Sequence, residues 1–114
     1  LARARLPLAP LVVQASRPDW SDPVLHLMVA LIDFQGAGRP RREVVEALRA
    51  RGVGTQVHYI PVHTQPDHAR FGFRRGDFPV AEAYYERAIS LPLYPLLTEG
   101  EQDQVVAALR DALA

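Results

Sequence analysis

Pro40-Arg41-Arg42-Glu43-Val44-Val45-Glu46-Ala47-Leu48-Arg49-Ala50-Arg51-Gly52-Val53-Gly54-Thr55-Gln56-Val57-His58-Tyr59-Ile60 changes its hydrophobic period midway, and the change decides the fold class. The first half is helical. Pro40 suits a first helical position, and Glu43 and Glu46 sit early, where the macrodipole favours anions. Arg49 and Arg51 sit late, Gly52 is placed to close the helix, and Val44, Val45 and Leu48 form its apolar stripe. The second half, Val53 to Ile60, reads as a strand. Upstream, Val24 to Phe34 is nearly continuous in apolar residues. That predicts a central strand buried on both faces, ended by Gly36 and Gly38.

Working outward completes an α+β chain. Residues 1–10 form an arginine-bearing lead-in, the end of a helix closed by Pro7 and Pro10. Leu11-Val12-Val13 is a short strand, and Ser16 to Pro23 is a turn cluster. After Ile60 a loop runs to Phe78, carrying Gly72, Gly76 and the arginines Arg70, Arg74 and Arg75. Asp77-Phe78-Pro79 opens a helix to about Ala88. Ile89 to Leu93 is a short extended piece that Pro92 confines to an edge or an irregular passage. Thr98-Glu99-Gly100-Glu101 matches a capping box. The last helix follows, with Val105, Val106, Leu109 and Leu113 on one face. The pattern predicts a small, mainly antiparallel sheet packed with helices.

Bulk properties exclude several functions. A length of 114 residues supports one domain with a real core. Net charge is +0 and the pI about 7.1, so no basic field attracts nucleic acid. No cysteine is present, which removes disulfides, thiol nucleophiles and zinc-thiolate sites. The longest apolar run, Leu27 to Ile32, is far too short for a membrane span, and no signal-peptide pattern is visible. A cytoplasmic location fits these features. The first residue is Leu1, so the expectation is a chain that begins inside a longer protein. Finally, the thirteen Lys+Arg residues are all arginine, so the chain contains no lysine.

Candidate chemistry centres on His58-Tyr59-Ile60-Pro61-Val62-His63 and the Gln65-Pro66 that follows. Imidazoles and a phenol where a strand gives way to a loop can hydrogen-bond the hydroxyl or anionic oxygens of a ligand. Alternatively, His58 bonds a backbone group and His63 caps the turn. His58, His63 and His68 recur every five residues, which puts neighbours on opposite faces of a strand and argues against a metal site. Arg70, Arg74 and Arg75 are either forks for a phosphate or carboxylate or a solvated loop. Arg41 and Arg42 read as a solvated helix start. Tyr84 and Tyr85 read as core or dimer contact rather than a base-stacking platform. Ser90 lacks the nucleophile-elbow pattern, and Gly52-x-Gly54 lacks a third glycine for a phosphate loop. A histidine-based hydrolase has little support.

Three blocks, Arg41 to His63, Phe78 to Glu82 with Ile89 to Pro95, and Leu97 to Gln102 with the following helix, carry a family likeness. Together they resemble the C-terminal domain of the DegT/DnrJ/EryC1/StrS sugar aminotransferases. Among these, the likeness is greatest to the pseudaminic-acid branch, the UDP-4-amino-4,6-dideoxy-N-acetyl-beta-L-altrosamine transaminases. The chain departs from the usual pattern at Asp67-His68, where an aromatic pair is common. The resemblance implies the small C-terminal domain of fold type I pyridoxal-phosphate transferases at residues 24–114, preceded by an interdomain lead-in at 1–23. It implies amino transfer, from glutamate, to a nucleotide-linked 4-keto-6-deoxy sugar, and it favours His58, Tyr59 and His63 as substrate-binding residues, to which the chemistry of their guanidinium groups adds Arg70 and Arg74. It further implies an N-terminal pyridoxal-phosphate-binding domain as partner and a homodimer. Such an enzyme holds its cofactor on a lysine. Without one, this chain alone is expected to bind no pyridoxal phosphate covalently and to be inactive. The alternative is a stand-alone, non-catalytic binding or dimerisation domain derived from such an enzyme.

Overall fold

The computed structural model describes residues 8, 10–14, 18–22 and 24–114. Most of the expected helix end at residues 1–10, and part of the 16–23 turn cluster, lie outside the described residues. Three strands form one antiparallel sheet: β1 (Val12–Gln14), β2 (Met28–Ile32) and β3 (Ala88–Leu91), in the order β1-β2-β3. The helices are α1 (Arg41–Ala50), α2 (Pro66–Ala69), α3 (Pro79–Arg87) and α4 (Glu99–Leu113), with a short 3₁₀ turn at Val62–Thr64. The architecture is α+β, as its periodicities imply.

Register assigns the two sheet faces. Val12 pairs with Ile32, Ala30 with Ile89 and Met28 with Leu91, so these six side chains share one face. Val44 and Leu48 of α1 and Ala108, Leu109, Ala112 and Leu113 of α4 close over that face to make the core. Val13, Val29, Leu31, Ala88 and Ser90 point the other way by the two-residue alternation of strands.

The α1 stripe behaves as its spacing predicts, with Val44 and Leu48 buried. Gly52 (φ 77°) ends the helix, donating its N–H to Arg49 O, while the Val53 N–H reaches Leu48 O. These two bonds form a Schellman cap whose hydrophobic partners, Leu48 and Val53, are both in the core. A Cβ at Gly52 meets nothing within 4 Å, so only its backbone conformation resists substitution. Gly52→Ala is therefore expected to lower stability by about 1 kcal/mol, read as a shifted urea midpoint with unchanged slope. At α4, Thr98 and Glu101 make the expected capping box in both directions.

Two expected strands are shorter than their apolar runs. The predicted strand at 24–34 is indeed central, but it is confined to Met28–Ile32, and Val24 is 99% exposed. Its pairing on the β3 side stops at Met28↔Leu91 because Pro92 follows and has no N–H to continue the ladder. The predicted strand at 53–60 is corrected to a single bridge, Gln56↔Ser90. In an antiparallel ladder Gly54 would face Pro92, which cannot donate. His58 would face Ala88, where α3 has only just ended. Both ends of that ladder are blocked. The region expected as loop up to Phe78 also contains the 3₁₀ turn and α2, with Pro66 at the first helical position. The buried face of α4 is Ala108, Leu109, Ala112 and Leu113, whereas Val106 is only half-buried.

Candidate functional site

The segment after the Gln56 bridge crosses to the sheet face away from α1 and α4, and Ser90 explains why it stays there. Ser90 lies on β3 between the core residues Ile89 and Leu91, so its side chain points to the opposite face. It is buried, and its Oγ lies 2.8 Å from His58 Nδ1. His58 is therefore held by a side-chain hydroxyl rather than a backbone group, which corrects the simpler expectation for this residue. A serine hydroxyl can donate or accept, so this contact suits either ring tautomer and leaves Nε2 for another partner. Tyr59 packs edge-on to the His58 ring at 4.6 Å, and the tyrosine is 71% exposed.

His63 is fixed differently. It sits in the 3₁₀ turn and is 8% exposed, with Nε2 2.7 Å from Glu82 Oε1 of α3. Its ring lies 4.8 Å from that of Phe78. The same Glu82 oxygen accepts the Gly76 N–H at 2.7 Å, and Arg75 Nε stands 3.8 Å from Oε2. Arg75 also meets Glu86. The hydrogen bond from His63, reinforced by the Gly76 amide, holds the Glu82 carboxyl below its ordinary range.

The other candidates are scattered around these two anchors. Arg70 stacks over Phe71, 4.9 Å from the ring centroid, and is exposed. Arg74 is exposed, and its backbone N–H donates to Asp77 Oδ2 at 3.0 Å, forming a local turn. His68 lies on α2 near Phe71, with Nδ1 buried and unpartnered. His58, His63 and His68 thus have three separate environments, and among the described residues no group of His, Asp and Glu gathers to hold a metal. Arg41 is not the solvated helix start expected of it: its guanidinium bonds Tyr85 O and lies 4.6 Å from the Tyr85 ring centroid. That contact ties α1 to α3. Arg42 is exposed and pairs with Glu46 at 2.9 Å.

Beside the tethered histidines lies an apolar groove of about 630 Å³, with Tyr59, Pro61, Phe78, Val80 and Tyr84 in its walls. Several of these are exposed large hydrophobics, so Tyr84 lines a surface groove rather than the core. An aromatic groove beside a histidine-bearing segment, with the Asp77 carboxylate also in its lining, can receive a largely apolar ligand that carries polar groups. Sequence reasoning missed Glu82 and Ser90 as the residues that set this geometry. Glu82 stands in a first helical turn, where acidic residues are common for dipole reasons, so nothing in its position singled it out.

The fold is that of the small domain of fold type I sugar aminotransferases. The S. venezuelae DesV structure superposes with a TM-score of 0.77 and 32% identity, over 92% of this chain and 28% of that one. The PLP form of the putative sugar aminotransferase Spr1654 from Streptococcus pneumoniae gives 0.79 at 20% identity, over 90% and 26%. The chain belongs to the DegT/DnrJ/EryC1/StrS aminotransferase family, whose model matches residues 3–110. It is 41% identical over 106 residues to the spore coat polysaccharide biosynthesis protein SpsC of Bacillus subtilis, covering 91% of this chain and 26% of that protein. The uncharacterized protein MJ1066 of Methanocaldococcus jannaschii is 42% identical over 86 residues, 75% of this chain and 22% of its own. The chain thus spans about a quarter of the length of the relatives it matches. No helix among the described residues is long and apolar enough to cross a membrane.

Proposed function

We propose that this chain is the C-terminal domain, residues 24–114 with a lead-in at 1–23, of a cytoplasmic aminotransferase. The parent enzyme transfers an amino group from glutamate to a nucleotide-linked 4-keto-6-deoxy sugar for surface polysaccharide or glycan biosynthesis. The observation that carries this reading is the pair of tethered histidines, on Ser90 and Glu82, beside an aromatic groove in a chain of this family. The polysaccharide context is supported by the likeness to SpsC. Assignment to the pseudaminic-acid branch rests on the motif blocks.

The domain's own part is binding. His58, Tyr59, His63, Arg70 and Arg74 form one wall of the nucleotide-sugar pocket, with the guanidinium groups suited to the diphosphate. Pyridoxal phosphate supplies an electron sink for the amino transfer when bound to the parent. This chain does not fit the covalent role for that group, because its donor set has no lysine amine. The cofactor anchor therefore belongs to an N-terminal domain of the parent, and a homodimer completes the site.

Titration of the domain with a UDP-sugar, followed by amide NMR, tests the binding role. Shifts are expected to cluster at residues 59–68 and 70–75. Absence of shifts at millimolar ligand, together with unchanged nucleotide-sugar KM in full-length Tyr59→Ala and Arg70→Ala variants, would reject it. Borohydride treatment with pyridoxal phosphate is expected to leave no stable adduct on this chain.

A further inference from the structure

We infer that Glu82 is the positioning residue of this site: its carboxylate clamps His63 and the Gly76 amide together, and so sets the shape of the segment that presents Arg70 and Arg74. The inference deepens the binding role proposed above and rests on it.

The geometry makes Glu82 a junction between three parts of the chain. Its oxygens receive His63 Nε2 from the 3₁₀ turn at 2.7 Å and Gly76 N from the far end of the loop at 2.7 Å. Arg75 Nε lies 3.8 Å away. Fourteen residues of chain, 63 to 76, are closed into a loop whose two ends meet on one carboxylate. Fixing both ends removes much of the conformational freedom such a loop would have. The Glu82 and His63 side chains are 12% and 8% exposed, so water competes little for either contact.

Glu82 itself is well supported. It lies in the first turn of α3, which runs directly into β3 and is held from the other side by Arg41 on the Tyr85 carbonyl. A carboxylate only accepts, so Nε2 of His63 must carry a proton, which fixes the tautomer of the neutral ring. His63 is then the buried member of the pocket wall, while Tyr59, Arg70 and Arg74 are exposed members. Glu82 touches none of the last three side chains in the structure's hydrogen-bond or ion-pair network, so any effect it has on ligand must pass through His63 and the loop.

The test uses the full-length protein. Glu82→Ala is expected to raise the KM for nucleotide sugar roughly 10–100-fold, and the equilibrium Kd for a UDP-sugar in parallel. The KM for the amino donor and the absorbance of the bound cofactor should stay unchanged. Glu82→Gln keeps an acceptor oxygen and should recover most of the loss. Tyr59→Ala separates this inference from the reading beneath it. If Tyr59→Ala raises the nucleotide-sugar KM and Glu82→Ala does not, the positioning role is wrong. If neither does, the binding role itself fails. A fall that strikes both substrates and the cofactor spectrum together would mark Glu82 as merely structural. Ring ¹⁵N shifts of His63 in the unmutated protein provide a check that needs no variant. A protonated Nε2 is expected, and an Nδ1–H tautomer would overturn the clamp.

Discussion

Leu109→Ala is expected to destabilise the chain by about 2–5 kcal/mol, a large share of what a domain of this size has. Leu109 is fully buried on α4, in the same cluster as Leu48 of α1 and Ile32 and Ile89 of the sheet. It therefore sits where both helices and the sheet meet. The neighbours that would have to collapse into the space include Ala30, Ala108 and Ala112, which are small and bring their backbones close. Side chains of that size have little freedom to relax into a void, so the cost should fall toward the upper part of the range. Val106, half-buried on the same helix, serves as the comparison: Val106→Ala should cost clearly less. Urea unfolding followed by far-UV circular dichroism reads both, with unchanged slope expected. Equal losses at the two positions would mean that α4 does not pack as described.

The elements of this core were readable from sequence because they obey a single period over a long stretch. The α1 stripe at Val44 and Leu48, the Gly52 stop and the Thr98–Glu101 box each have a local cause, and the structure shows each of them. Residues 53–60 failed as a strand for a reason that is not local. Their apolar content suits a strand, but the neighbouring strand offers them only Ser90, between Pro92 and the end of α3. Arg41 failed similarly, since its partner is a carbonyl 44 residues away. The site was half legible. The histidine–proline stretch announced itself by composition, yet the atoms that hold it, Ser90 Oγ and Glu82 Oε1, come from 32 and 19 residues downstream. Register alone placed Ser90 on the site's side of the sheet, and register could not be known before the ladder was.

That placement makes Ser90 the position where one hydroxyl can be weighed by itself. Threonine and valine have nearly the same shape, so Ser90→Thr and Ser90→Val differ mainly in whether His58 Nδ1 keeps its partner. Both substitutions add a methyl group on a buried strand, and both are branched residues that suit strands, so those terms largely cancel between them. Valine leaves Nδ1 facing a methyl group, and Ser90 is only 6% exposed, so water has little room to replace the hydroxyl. The valine variant should therefore be less stable than the threonine variant by about 1–3 kcal/mol. The ring also loses the contact that sets its angle to Tyr59, so in the full-length protein the valine variant alone should weaken nucleotide-sugar binding. A His58→Ala background supplies the decisive control: with the imidazole gone, the gap between threonine and valine should close. If the gap persists there, the hydroxyl serves the strand and not the histidine, and the tether described here has no energetic meaning.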